Sequence, residues 1–223
     1  MAFEKSGGGL PEGYTAVEYI QSSGTQYIDT GRKLTQDSDI TIDFMIVGEK
    51  NRNAAILGSR EGAAKNNLAM FQQTSPNAFV GDFSEYPKYR FKTNSSFNRT
   101  KIRMNKTGVL VNGVLNTSWS GVANFETPTN GLIFDVGNNN WTGNKAVMQL
   151  YGYSDGNAQK LVPCLDTEGV PCMYDLVSQK PFYNAGTGSF TWGRLNDIWK
   201  TCGWRTQRRA KPVKNRRILY LHK

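Results

Sequence analysis

Ile40, Ile42, Phe44 and Ile46 alternate with Thr41, Asp43 and Met45 along one uninterrupted run. A strict period of two places the four large apolar side chains on one face, the pattern of a half-buried strand. Thr100–Lys106 repeats the pattern with the signs displayed: Lys101, Arg103 and Asn105 face one way, Ile102 and Met104 the other. Val109-Leu110-Val111 and Val114-Leu115 follow at once, joined by Asn112-Gly113. Asn-Gly between apolar runs predicts a two-residue hairpin, because both central residues of a type I′ turn need positive φ. Leu132–Val136 and Ala146–Tyr153 predict two more strands. In the second, Ala146, Met148 and Leu150 share one face, and Val147, Gln149, Tyr151 and Tyr153 the other. Near the start, Val17–Ile20 and Gln26–Thr30 flank a Ser22-Ser23-Gly24 turn; near the end, Met173–Val177 leads through the Asn184-Ala185-Gly186-Thr187-Gly188 loop to Ser189–Trp192. Helical periodicity is nearly absent, and the expected class is all-β.

Composition agrees with this reading. The 223 residues are 38% hydrophobic, with 23 Gly and 10 Tyr, and Asn, Ser and Thr are scattered between short apolar runs, as expected of many strands separated by turns. About 190 residues suits a single two-sheet sandwich. Two segments sharpen the expectation: LPEGYTAVEYIQSSGTQYIDTG at 10–31, and VPC at 162–164 followed by MYDLVSQKPFYNAGTGSFTWG at 173–193. As a pair they resemble the opening and closing signatures of concanavalin A-like (laminin G-like) jelly-roll domains, which recur in phage and gut-bacterial proteins. The resemblance implies a two-sheet antiparallel jelly-roll sandwich over residues 10–193, with its first and last strands side by side. A polar arm (1–9) would precede it and a short basic C-terminal extension (194–223) would follow. Pro171-Cys172 departs from the glycine usually placed before the family's MYD.

Charge divides the chain at the same boundary. Residues 1–193 hold equal numbers of basic and acidic side chains, so the formal net charge of +9 resides in the last 30 residues, where 10 Lys and Arg face only Asp197. Arg205, Arg208, Arg209, Lys211, Lys214, Arg216 and Arg217 are interleaved with Trp199, Trp204 and Tyr220. Such a run docks on an acidic protein surface or holds nucleic acid through counterion release. Its aromatics, and the closing Ile218-Leu219-Tyr220-Leu221, favour a protein partner over a solvated tail.

Several chemistries find no support. Met1–Gly9 has neither the basic nor the apolar stretch of a secretory signal, and no run of 18 apolar residues exists, so the expectation is a protein made and kept in a cytoplasm, with no membrane partner. Cys164, Cys172 and Cys202 are odd in number without paired spacing, which argues against a disulfide framework; Cys164 reads as a small buried hydrophobe. The sole histidine is His222 and no Cys-x-x-Cys occurs, so neither a metal site nor a histidine-based nucleophilic site is expected, and no cofactor. Five Asn-x-Ser/Thr sequons carry little meaning without a secretory route. Sandwich glycosidases place two carboxylates on one face of a strand. The nearest pair here, Asp39 and Asp43, reads instead as a solvated strand face, and the chain is expected not to be an enzyme.

Binding has better candidates. Asn138, Asn139, Asn140 and Trp141, in a loop between two strands, combine side-chain amides with an aromatic plate, a chemistry suited to sugar hydroxyls and a pyranose face. Tyr86 and Tyr89 form a second aromatic loop. The resemblance implies a component of a bacteriophage virion, a tail or head appendage, whose sandwich meets host-surface glycans while Trp199, Trp204 and the Arg205–Arg217 cluster hold it to other virion proteins or to further copies of itself. Nucleic acid is the less favoured partner of that cluster. The other readings are a decoration protein without a ligand and a bacterial carbohydrate-binding module.

Overall fold

The computed structural model describes residues 9–48, 53–62, 65–74, 78–94, 98–137 and 144–195. In chain order the strands are β1 (Thr15–Ala16), β2 (Tyr19–Gln21), β3 (Ile28–Thr35), β4 (Ile40–Ile46), β5 (Ala54–Ser59), β6 (Asn67–Gln73), β7 (Ala78–Ser84), β8 (Arg90–Asn94), β9 (Thr100–Asn105), β10 (Gly108–Val111), β11 (Val114–Ser118), β12 (Glu126–Ile133), β13 (Asn144–Lys145), β14 (Met148–Asp155), β15 (Gln159–Leu165), β16 (Pro171–Asp175), β17 (Lys180–Phe182) and β18 (Thr191–Gly193). None of the described residues is helical. One sheet runs β11-β10-β9-β4-β14-β15-β16-β17, with β1 beside β15 and β2 between β14 and β18. The second runs β3-β12-β5-β6-β7-β8, with the short β13 on β5. All named pairings are antiparallel except β13 with β5. The protein is an all-β sandwich of two packed antiparallel sheets.

The core lies where the alternation places it. Ile40, Ile42, Phe44 and Ile46 are all buried and meet the second sheet's inner face, with the Phe44 ring edge-on to Phe79 at 5.2 Å between centroids. Asn112 (φ 51°) and Gly113 (φ 83°) take the two positive-φ positions between β10 and β11, as the Asn-Gly signal requires.

One facing assignment is overturned. Tyr153 is not on the outer face of β14 with Gln149 and Tyr151; it is 1% exposed and part of the core. The register against β4 shifts between Leu150 and Gly152: Leu150 pairs with Phe44 and Gly152 with Asp43, which leaves Tyr151 as an extra residue. A bulge of one residue inverts every facing beyond it. Tyr153 therefore falls opposite Ile42, on the core face.

The outer face of β4 is not simply solvated either. Asp43 is buried and accepts two hydrogen bonds from Arg99, at 2.8 and 3.0 Å, while that guanidinium lies 3.9 Å from the centroid of the Tyr151 ring. Asp39 is paired with Arg103, whose Nε–H donates at 2.7 Å and holds the carboxyl below its ordinary range. Both carboxylates are tied to arginines across the sheet.

The two signature segments meet. Thr191, Trp192 and Gly193 pair with Gln21, Ile20 and Tyr19, so β18 closes the sheet against β2. Their polar side chains build this seam. Gln26 Oε1 accepts from the Ser22 and Ser23 hydroxyls and the Ser23 N–H, while its Nε2 donates to the Ser189 carbonyl. Asn184 Oδ1 accepts the Tyr27 and Gly186 N–H groups, and its Nδ2 donates to Gly188 O, pinning the 184–188 loop to the start of β3. Asp175 is buried and accepts from the N–H groups of Lys160, Val177 and Ser178 and from the Ser178 hydroxyl. Burial opposes its ionisation, but these donors prevail and its pKa is lowered.

Cys164 and Cys172 are direct partners across β15 and β16, both fully buried and unbridged, with Sγ atoms 3.5 Å apart. The sequence spacing gave no hint of this pairing; the short turn between the strands creates it. Pro163 sits where β15 changes neighbour, between the last β14 partner (Leu161) and the first β1 partner (Cys164), a position that places little demand on a backbone N–H.

Candidate functional site

The outer face of the second sheet carries a cleft. Along β7, Phe79 and Phe83 enter the core, so Ala78, Val80 and Asp82 face outward. Across the sheet, Ala55, Phe71 and Val80 line up in one row, and Gly58, Ala69, Asp82 and Arg90 in the next. The apolar row joins Ala69, Ala78 and Val136 in a separate small cluster outside the main core. In the polar row, small residues stand beside Asp82. Gly58 has φ +127°, and a Cβ there would come within 2.1 Å of the Leu68 carbonyl oxygen, so close strand packing excludes a side chain. A depression of about 300 Å³ on this face is lined by Asn53, Ala54, Arg60, Phe71, Gln72, Gln73, Asp82, Tyr86 and Arg90.

Asp82 is its central feature. The side chain is 8% exposed, and Oδ1 has no hydrogen-bond partner. Arg90 Nε lies 3.7 Å from that oxygen, inside ion-pair range but beyond a hydrogen bond. Burial pushes the Asp82 pKa up, and the charges of Arg90 and Arg60 only partly oppose this. Each arginine is held on an aromatic face: Arg90 over Tyr86 at 4.7 Å, and Arg60 over Phe71 at 5.6 Å. The Arg60 Nε–H donates to Gly62 O at 2.8 Å, fixing the guanidinium at the base of the side chain. Two oriented cations and one buried, under-satisfied carboxylate thus converge on an aromatic-walled hollow. Such a site hydrogen-bonds both donors and acceptors of a polar ligand and packs its apolar face.

The two tyrosines of the second aromatic loop part company. Tyr86, 43% exposed, forms a wall of the cleft. Tyr89, 3% exposed, turns into the core beside Trp119 and donates its hydroxyl to Gly121 O at 2.6 Å. The turn explains the split: Tyr89 N–H bonds Glu85 O, and Tyr89 O accepts from Phe83 N–H, so the chain folds back between them. A surface ligand can reach Tyr86 and not the Tyr89 ring.

Asn138, Asn139, Asn140 and Trp141 lie outside the described residues, as do Trp199, Trp204, Arg205, Arg208, Arg209, Lys211, Lys214, Arg216 and Arg217. The flanks of the 138–143 segment are fixed on β5, however. Gly137 exchanges backbone hydrogen bonds with Gly58 and Arg60, and Asn144 donates to Asn53 O. Asn53 and Arg60 both line the cleft. Sequence reasoning missed Arg60, Asp82 and Arg90, which lie on separate strands or loops and converge only through the register of the sheet. Among the described residues, no three His, Cys, Asp or Glu side chains gather as a metal site, and no helix is long and apolar enough to cross a membrane. No model of a known protein family matches the chain, and no curated protein matches it in sequence.

Proposed function

We propose that this protein is a non-enzymatic glycan-binding sandwich of the concanavalin A-like kind, carried on a bacteriophage particle as a head or tail appendage, with residues 194–223 as its anchor. The observation that carries the binding reading is the cleft around Asp82, where a buried carboxylate oxygen lacks a donor beside two aromatic-mounted arginines. A sugar hydroxyl supplies that donor, while its neighbours accept from guanidinium N–H groups and its ring lies against Tyr86. The virion assignment is supported by the two signature segments and by the concentration of the whole net charge in the last 30 residues. The other virion proteins, or further copies of the chain, are the anchor's partners.

Binding of the full-length protein to host-surface polysaccharide tests the first part. Tyr86→Ala should abolish adsorption and leave the unfolding midpoint nearly unchanged; unaltered adsorption would remove the cleft from consideration. Mass spectrometry of purified particles tests the second part. Deletion of residues 194–223 should prevent incorporation, and full incorporation of the shortened chain would end the anchor proposal.

A purely structural decoration role is the competing reading. It is favoured by Val114 and Leu115, which are 71% and 63% exposed on the edge strand β11, a placement suited to a neighbouring subunit. Val114→Glu with Leu115→Lys would then impair particle assembly while sparing adsorption of the isolated protein.

A further inference from the structure

We infer that the cleft selects an acidic sugar, a uronic- or ulosonic-acid unit whose carboxylate lies against the Arg60 and Arg90 guanidiniums while an adjacent hydroxyl donates to Asp82 Oδ1. This rests on the glycan-binding reading and narrows it to one ligand class.

Charge is the first argument. Arg60 and Arg90 outnumber Asp82 among the ionisable residues lining the cleft, and Lys92 follows on the next outward position of β8, opposite Val80. The hollow is therefore cationic, although residues 1–193 are formally neutral as a whole. A neutral sugar leaves that local excess unanswered.

Geometry is the second. Arg60 donates through Nε to Gly62, and the Arg90 Nε approaches Asp82 without a hydrogen bond. The shortest polar contact of each arginine is thus made through Nε, and the terminal N–H groups are the ones offered to a ligand. A planar carboxylate accepts two parallel N–H bonds from such a fork. Packing over Phe71 and Tyr86 restrains both guanidiniums before a ligand arrives, which lowers the ordering cost of binding.

Asp82 supplies the third argument. A carboxylate alone would be met by arginines alone; a buried acceptor between them calls for a donor on the same ligand. Its side chain is more than nine-tenths buried and its Oδ1 is unpartnered, a state that a nearby hydroxyl relieves. A carboxylate and a hydroxyl a few bonds apart are what an acidic pyranose presents. At about 300 Å³ the cleft sits at the small end of ligand pockets, consistent with one sugar unit gripped and the rest of a chain outside.

Calorimetry on the full chain tests this with four probes: glucuronic acid, N-acetylneuraminic acid, glucose and glucose 6-phosphate. The expected result is a preference of about tenfold or more for at least one of the two carboxylate sugars over glucose. Arg60→Gln and Arg90→Gln should each erase the preference. Equal or tighter binding of glucose, lost in Tyr86→Ala, would keep the glycan reading and overturn the acidic class. Tightest binding of glucose 6-phosphate would replace the carboxylate by a phosphate and overturn the assignment. Acidic-sugar affinity that survives the Arg60→Gln/Arg90→Gln double variant would belong to the basic extension and also overturn it. No binding of any probe, with the host polysaccharide also unbound, would overturn both this inference and the reading beneath it. Unfolding midpoints of all variants separate loss of binding from loss of fold.

Discussion

Gln26 donates its side-chain amide N–H to the carbonyl of Ser189, 163 residues further along the chain, at 3.1 Å. The same side chain accepts three hydrogen bonds from Ser22 and Ser23. One glutamine thus shapes the opening turn and ties it to the closing strand. Gln26→Ala leaves several nearly buried donors and an acceptor without partners. It should cost about 1–3 kcal/mol in urea unfolding. A change within a few tenths of a kcal/mol would show that water replaces the amide and that the seam is held by β2 and β18 alone.

The bulge in β14 makes a sharper distinction between neighbours. Tyr153, turned inward by the extra residue, is fully packed, whereas Tyr151 rests under Arg99 on the outer face. Tyr153→Ala should cost about 3–5 kcal/mol, in the range of large aromatic truncations in cores. Tyr151→Ala should cost much less. Equal effects would contradict the register described for β4 and β14.

Asp82 gives a prediction in which removal of a charge stabilises. Its pKa is raised in the folded state by burial, so folding favours the protonated form. That favourable balance is complete below the ordinary carboxylate pKa of about 3.9 and is lost as pH rises through the elevated folded value. At pH 7 the native state therefore carries a penalty that Asp82→Asn relieves. The variant should melt about 2–4 °C higher at pH 7, the shift of about 1 kcal/mol in a domain of this size. The advantage should vanish below about pH 4. A variant less stable than the parent at neutral pH would mean that the carboxylate is well compensated by its arginines.

Cys164 and Cys172 should resist thiol reagents in the native protein. Both are fully buried beneath Leu10 and Tyr14, and the hydrogen bond with the Cys172 thiol, together with burial, pushes the Cys164 pKa up, away from the reactive thiolate. Peptide mass mapping after brief alkylation should find both unmodified, and both modified once the chain is denatured. Rapid native labelling of either would show that the 10–14 segment lifts readily from β15 and β16.

The sequence made the strands and their inner faces legible wherever side chains kept a strict period, as at Ile40–Ile46, and wherever a turn has steric demands, as at Asn112-Gly113. The closing partnership of residues 10–31 with 162–193 was also legible, since its polar residues occur in recognisable segments. The facing of Tyr153 was not, because a bulge adds no sequence mark beyond one residue out of phase. Asp43 looked solvated because its partner Arg99 lies 56 residues away. The cleft was legible only at Tyr86. Arg60, Asp82 and Arg90 are ordinary charged residues in the sequence, and only strand register brings them together.

The pairing of β18 with β2 also orders events during synthesis. At about 5–20 residues per second, the ribosome takes roughly ten to thirty seconds to pass from Ile20 to Trp192. Throughout that interval β2 can pair with β14 at most, and its other edge remains open. A nascent chain, or a product broken off before Ser189, therefore presents an unpaired strand edge to every similar chain nearby. Crowded translation on one message would bring such open edges together, until β18 arrives to cover each of them.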